Sequence, residues 1–436
     1  MTATDGTERE TRRAERETRR AERETRRAKR GTRGAGSLLR GRPFRRYWAA
    51  QSISFAGDEI TTIALPLLAV GLGATPAELG LIVAARWLPS LLFAVPAGVW
   101  ADRLARRRHV MIATDLGRAV LLASVPAAVL LGGTGTVHLV GVAFGIGLLS
   151  VLFTVNNAGL LPALVSPDRY VDGNSLVNGS RALAGVAGPG VGGVLVQLLS
   201  APVALLADAC SYLWSALLLA SISPAEPPAA SARGGSRAGL RHVLRSPVLA
   251  PSLAATAIVN LAAAAIGALF VLYASTALHL EPWQIGLALG VGAVGGLVGA
   301  ALAGPVSRRI GVGSTFVAGC ALFPASMLLI PLAGGSPVTA ITVLVVSEFG
   351  QGVGVMGLDV AGAAILTALA PPDQRSSVFG AYQTVNFGVR PVGALAGGGL
   401  ATLAGVRPTL WIAAAIGTTG FLCLLRRPVL QLRDLS

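Results

Sequence analysis

PAELGLIVAARWLPSLLFAVPAGVWADRLARRRHV, residues 76–110, decides what kind of molecule this chain is. Residues 77–101 form one apolar run interrupted only by Glu78 and Arg86. As a helix that run is about 38 Å long, enough to cross a hydrocarbon core of roughly 30 Å. Asp102, Arg103 and Arg106–Arg108 follow at once, and a short loop so rich in arginine belongs on the cytosolic side of a membrane.

Outward from this segment the same alternation repeats. Apolar stretches separated by short polar punctuation predict membrane spans at 47–71, 77–101, 109–131, 137–165, 175–199, 202–222, 248–274, 282–306, 312–333, 338–369, 377–402 and 405–425. The fourth and tenth are too long for one straight crossing, so each should carry a kink or a cytosolic extension. Composition agrees. Of 436 residues, 53% are hydrophobic and 13% charged, about half the charged share of a soluble domain, which excludes an ordinary soluble enzyme.

The formal charge of +15 is concentrated at one end: residues 1–46 hold 16 Lys+Arg against 7 Asp+Glu. Nucleic-acid binding therefore has no support in the body of the chain. Lys29 is the single lysine, so a phosphate-binding Gly-Lys-Ser/Thr loop is excluded. Cys210, Cys320 and Cys423 are far apart, and His109, His138, His242 and His279 are scattered, so no metal or cofactor is expected. Glu-Arg-Glu-Thr-Arg-Arg-Ala recurs at 8–14, 15–21 and 22–28 without a large apolar residue, which rules out a coiled-coil seam. Residues 1–43 read as a disordered, arginine-rich cytosolic tail, with contact to anionic lipid as the functional alternative.

Orientation follows from the flanking basic residues. With the N-terminus inside, 31 Lys+Arg fall on the cytosolic side and only Arg407 on the other. Both termini are thus expected in the cytoplasm of a plasma-membrane protein. The chain also repeats itself. A shift of 206 pairs Pro76, Gly80, Leu81, Gly98 and Arg103 with Pro282, Gly286, Leu287, Gly304 and Arg309. A shift of 205 pairs Leu161, Pro167 and Asp168 with Leu366, Pro372 and Asp373, and Gly188, Gly192 and Gly193 with Gly393, Gly397 and Gly398. Six helices per copy make a parallel repeat. The expected fold is all-α and integral to the membrane: twelve transmembrane helices in two pseudo-symmetric six-helix bundles, 44–222 and 247–427. A cytosolic linker at 223–246, amphipathic near Leu240–Leu244, joins them, and 428–436 forms a second tail.

At these residues a resemblance emerges. Gly98-Val-Trp-Ala-Asp102-Arg103, with Arg107 and Arg108, resembles the loop signature that follows the second helix of major facilitator superfamily transporters. Gly188-Pro189-Gly-Val-Gly192-Gly193 is similar to the core of that superfamily's antiporter motif, with Gly185 upstream and Ala184 where a glycine is usual. Gln51-Ser-Ile-Ser-Phe-Ala-Gly57-Asp58, Leu161-Pro162-Ala-Leu-Val and Arg390-Pro391-Val-Gly393 resemble the branch of macrolide and enterobactin-type siderophore exporters. The resemblance spans about 44–426 and implies alternating access between the halves. It departs from the family's proton-coupled drug exporters in the fourth span, where no arginine occurs.

Physical roles follow. Gly98, lacking a Cβ, should let the second helix end close to a neighbouring backbone. Asp102 is the candidate conformational switch, capping a helix N-terminus of the opposite half in one state. Arg103, Arg107 and Arg108 serve mainly as anchors. Arg181, Gly185, Gly188 and Gly192 share one face of the fifth helix and, with Pro189 and Gly193, suit a bendable, leak-tight seam or ordinary small-residue packing. Gly290-Val-Gly292-Ala-Val-Gly295 matches a dinucleotide fingerprint but lacks a preceding strand, so it reads as helix packing.

Six acids lie within spans, each costly there unless paired or wetted: Asp58, Glu59, Asp115, Asp208, Glu348 and Asp359. Asp115 and Arg118, three residues apart, form a structural pair, and Asp208 reads as interfacial. Asp58, then Glu348, then Asp359 rank highest for contact with protons or a cationic substrate, with Arg86, Arg181 and Arg390 as counter-charges or anchors. Glu348 and Asp359 share a face about 16 Å apart. The function expected is proton-coupled export of an amphipathic small molecule — a drug, macrolide-like product or siderophore — by a monomer in the lipid bilayer. Uptake by proton symport and a non-transporting sensor or scaffold are the alternatives. No constellation supports an enzyme.

Overall fold

The computed structural model describes residues 38–102, 106–223, 236–371 and 374–425. The N-terminal repeat, most of the linker and the C-terminal tail lie outside these residues. Thirteen helices account for nearly all of the described chain: α1 (Arg42–Gly71), α2 (Pro76–Asp102), α3 (Arg107–Leu130), α4 (Thr136–Leu164), α5 (Tyr170–Leu199), α6 (Ala201–Ala220), α7 (Ser236–Arg245), α8 (Leu249–Leu272), α9 (Pro282–Ile310), α10 (Val312–Met327), α11 (Pro337–Leu369), α12 (Arg375–Ala404) and α13 (Val406–Thr419).

Setting aside the short α7, these correspond one for one to the twelve predicted spans. Eleven are long and apolar enough to cross a membrane. The twelfth, α12, is diluted by Arg375, Gln383, Asn386, Arg390 and a run of glycines, yet at 30 residues it packs between α2 and α8 as a spanning helix does. The fourth and tenth spans prove to be uninterrupted helices of 29 and 33 residues, so their length is taken up as extension rather than by a break. Helix α7 is the expected amphipathic segment: Val243 is buried, whereas Leu240 and Leu244 are exposed.

The repeat is visible in the packing. In the first half α1 packs on α5 and α6, α2 on α4, and α3 on α4 and α6. In the second, α8 packs on α12 and α13, α9 on α11, and α10 on α11 and α13. Across the halves α2 meets α12 and α5 meets α9, two contacts that the pseudo-twofold exchanges. Tight helix reversals precede α6 and α13, where Ser200 and Gly405 adopt φ 89° with ψ 157° and 159°. These residues are 205 apart, so one backbone turn is built with serine in one half and glycine in the other. The architecture is all-α, with twelve helices in two pseudo-symmetric six-helix bundles.

Candidate substrate cavity and its seams

The glycines of the repeat draw the halves together at one end. A Cβ on Gly80 would sit 2.5 Å from the Ala394 carbonyl oxygen and 3.0 Å from Gly398 Cα. A Cβ on Gly398 would sit 2.6 Å from the Pro76 carbonyl oxygen. The same arrangement recurs between α5 and α9, where Gly286 lies against the Pro189 carbonyl and Gly193 against Pro282 and Trp283. The offset of 205–206 converts one seam into the other. Only glycine lets two backbones approach this closely.

The antiporter-like motif divides its labour. Gly193 and Gly185 face α9, the latter towards Ala293, so they belong to the seam. Gly188 and Gly192 instead pack within their own half, against Glu59 and Ile60 of α1. The reading of Gly98 is not met in this structure: a Cβ there would meet nothing within 4 Å among the described residues. Arg103 lies outside the described residues, and Asp102 closes α2. Arg108 donates to the Ile222 carbonyl, and at 3.4 Å to that of Ala220, while Arg46 donates to Ser221 at 2.6 Å. Both cations thus bind the C-terminal end of α6, where the helix dipole favours them. Arg107 packs over Gly159 of α4.

Below the seams lies a cavity of about 800 Å³, walled by α1 and α2 of the first half and by α8–α12 of the second. Most of its wall is apolar, with Trp87, Phe270, Phe316, Phe323, Phe379 and Phe387. Arg86, Glu348, Asp359 and Arg390 all line it. Glu348 Oε1 accepts a hydrogen bond from Gln351 at 3.0 Å. Arg390 gives both Nε and Nη2 to Asn260 Oδ1, at 3.0 and 2.8 Å. Its guanidinium lies 4.6 Å from the ring centres of Trp87 and Phe387, which are stacked on each other across the two halves.

Two predicted residues stand elsewhere. Asp58 is not among the lining residues, since its carboxylate turns to α6 and accepts from Tyr212. Helix α1 presents Thr61 and Thr62 to the cavity instead. Arg181 is exposed and lies 4.4 Å over the Phe55 ring. The pair Asp115–Arg118 forms as expected, but Asp208 is fully buried rather than interfacial, bonded by Thr61 and Ser211.

Sequence reasoning missed the polar ladder that holds Arg390. Asn260 donates to Asn386 at 3.2 Å, and Tyr382 meets Thr256 at 3.1 Å. The signal was available in Thr256/Asn260 and Tyr382/Asn386/Arg390, polar side chains repeating every fourth residue on one helix face.

Comparison with known proteins fits this architecture. The family model of the Major Facilitator Superfamily matches residues 47–356 and, a second time, 252–434. The multidrug efflux pump Tap of Mycolicibacterium fortuitum is 25% identical over 368 residues, 81% of this chain and 88% of that one. A single-residue mutant of the nucleoside transporter NupG superposes with a TM-score of 0.73 at 13% identity, covering 88% of this chain and 100% of the other. A bacterial homologue of the iron transporter ferroportin, in an inward-facing state, superposes with a TM-score of 0.70 at 18% identity, covering 88% and 99%. With a matching model across nearly the whole helical region, twin glycine seams and a cavity between duplicated halves, this chain belongs to the Major Facilitator Superfamily.

Proposed function

We propose that the chain is a proton-coupled exporter of amphipathic, preferentially cationic organic molecules, acting as a monomer in the plasma membrane with both termini cytoplasmic. The observation that carries the reading is the cavity: a mostly aromatic and aliphatic chamber of about 800 Å³ with two acids, Glu348 and Asp359, in its wall. Such a surface accepts a range of apolar bodies by shape-tolerant burial. With Arg390 committed to Asn260, Trp87 and Phe387, it leaves Glu348, bonded by the neutral Gln351, to meet a positive charge. With the orientation set by the basic flanks, the seams are external and the cavity loads from the cytosol, which is the side an exporter needs. The likeness to an efflux pump supports the same direction.

In this reading Glu348 and Asp359 contact substrate or proton, Arg86 and Arg390 balance and position them, and Asp58 exchanges protons from behind the wall. Arg181 plays no part in the cavity. Asp102 remains the switch group, and the arginines beside it are anchors. The seam glycines Gly193 and Gly185 close the outer end, with Pro189 supplying a carbonyl to the contact.

Cells expressing the chain and preloaded with cationic, neutral and anionic dyes test this. Faster loss of the cationic dyes, abolished by a protonophore, is the expected result. Gradient-driven accumulation instead of loss would establish symport. No movement of any dye, with the protein inserted, would leave a sensor or scaffold.

A further inference from the structure

Behind the cavity wall, α1, α3 and α6 enclose a cluster that the cavity does not use. It holds three carboxyl groups, Asp58, Asp115 and Asp208, and one guanidinium, Arg118. Asp115 and Asp208 are 0% exposed and Arg118 only 3%. Arg118 pairs with Asp115, whose second oxygen accepts from Ser215 at 2.7 Å. Asp208 accepts from Thr61 and from Ser211, and Asp58 accepts from Tyr212. Every donor to Asp58 and Asp208 is thus a neutral hydroxyl.

The charges do not balance. One cation answers one carboxylate, and neighbouring helices bring no other. On α4 the span contains no charged side chain besides His138 at its outer end. On α5 Arg181 is exposed over Phe55, and on α1 Glu59 faces Gly188 of α5. Arg86 belongs to the cavity wall. Asp208, fully buried among apolar helices, is left without a cation or the water that would screen it, whereas Asp58 is only half-buried, so it is Asp208 that is neutralised by protonation.

Two observations link it to the outside. Thr61, which donates to Asp208, is also a cavity-lining residue, so one side chain belongs to both compartments. Arg118 Nε is buried with no acceptor among the described residues, and its guanidinium lies 4.3 Å from the ring centre of Tyr212, the residue that holds Asp58. Arg118 therefore has an unused N–H with which to answer a second carboxylate when one forms.

We propose that Asp208 is a proton-binding site behind the cavity wall, loaded and unloaded through the Thr61 hydroxyl. On loading, a proton from cavity water bonds to Thr61 Oγ1 as the original Thr61 O–H bond breaks. That hydrogen passes to Asp208 Oδ2, which leaves Thr61 an intact hydroxyl and Asp208 neutral. Unloading is the reverse, with Arg118 Nε compensating the carboxylate that appears. The proposal rests on the proton-coupled reading only for what the bound proton drives.

Infrared spectroscopy of the purified, substrate-free full chain tests the site, because a protonated carboxyl has its own C=O stretching band. In a pH series the parent should show such a band, lost in Asp208→Asn. In deuterium oxide the band should exchange about 100-fold more slowly in Thr61→Val, which keeps the shape and removes the hydroxyl, and at the parental rate in Thr61→Ser. A spectrum unchanged by Asp208→Asn overturns the bound proton. Unslowed exchange in Thr61→Val overturns the route. If Asp208→Asn does not fold, the threonine pair still decides. No substrate or gradient enters the measurement, so protonophore-insensitive transport would defeat the coupled reading while leaving this site intact.

Discussion

Adding one methyl group at Gly80 should open the sealed end of the cavity. The new Cβ would lie 2.5 Å from the Ala394 carbonyl oxygen and 3.0 Å from Gly398 Cα, where ordinary contact begins at 3.4 Å. Both obstacles are backbone on the opposite half, so no rotamer change relieves them, and the halves must separate by about 1 Å at that point. Overpacking of this kind costs about 1–3 kcal/mol, and only the sealed state bears the cost. A difference of that size moves the ratio of sealed to open states by roughly 5–150-fold. Spin labels at Val137 and Val338, both exposed and on the seam side of opposite halves, report the change by pulsed electron resonance. Gly80→Ala should add a longer-distance population. Gly98→Ala, where a Cβ meets nothing within 4 Å, should not. A distance distribution in Gly80→Ala identical to that of the parent would refute the seam as the closing contact.

Other expectations follow from the same geometry. Glu348→Gln should weaken cationic substrates about tenfold, roughly 1.4 kcal/mol, and spare neutral ones, as measured by efflux of matched dyes. Arg390→Lys keeps the charge but cannot reproduce two bonds to Asn260 and the stack on Trp87 and Phe387. It should raise the transport KM by about tenfold, the worth of one charge-assisted hydrogen bond of roughly 1.5 kcal/mol. Ser200→Gly relieves a conformation that its counterpart Gly405 adopts freely, so a thermal unfolding assay in detergent should show a gain of about 1 kcal/mol. Reporter fusions after Gly133 and after Ser246 should report opposite sides of the membrane, external and cytosolic.

The helices were legible because their signal is collective. Twenty or more apolar residues between polar breaks leave little freedom in where a helix crosses, and the observed helix ends fall within six residues of the predicted ones. The repeat was legible for a similar reason: Gly80 and Gly286 recur at an offset of 206, and Gly193 and Gly398 at 205, because a close backbone crossing tolerates nothing larger. Side-chain direction was not legible at that level. Asp58 and Thr61 are three residues apart on α1, and periodicity alone does not say which of their faces meets α6 and which meets the cavity. Gly98 misled because a glycine near a helix end signals only the absence of a Cβ and not a close neighbour, and a Cβ there would meet nothing within 4 Å among the described residues. Asp208 was read as interfacial from its distance to the end of α6, whereas packing by α1 and α3 removes it from any surface.

The two halves agree where backbones must meet and differ where chemistry is placed. Each seam has its partner at the offset of 205–206, down to Ala394 in the place of Pro189. No such partner exists for the polar groups. The second half turns Glu348, Asp359, Asn260, Asn386 and Arg390 into the cavity or its wall. The first half keeps Asp58, Asp115, Asp208 and Arg118 behind it, with Thr61 as the link. A symmetric frame supplies two equivalent conformations, since exchanging the roles of the halves exchanges the open end. In the proposed reading, an unsymmetric set of charges gives the two conformations different affinities for a cation and for protons. Coupling requires that difference, because a ligand shifts such an equilibrium only by its unequal affinity for the two states.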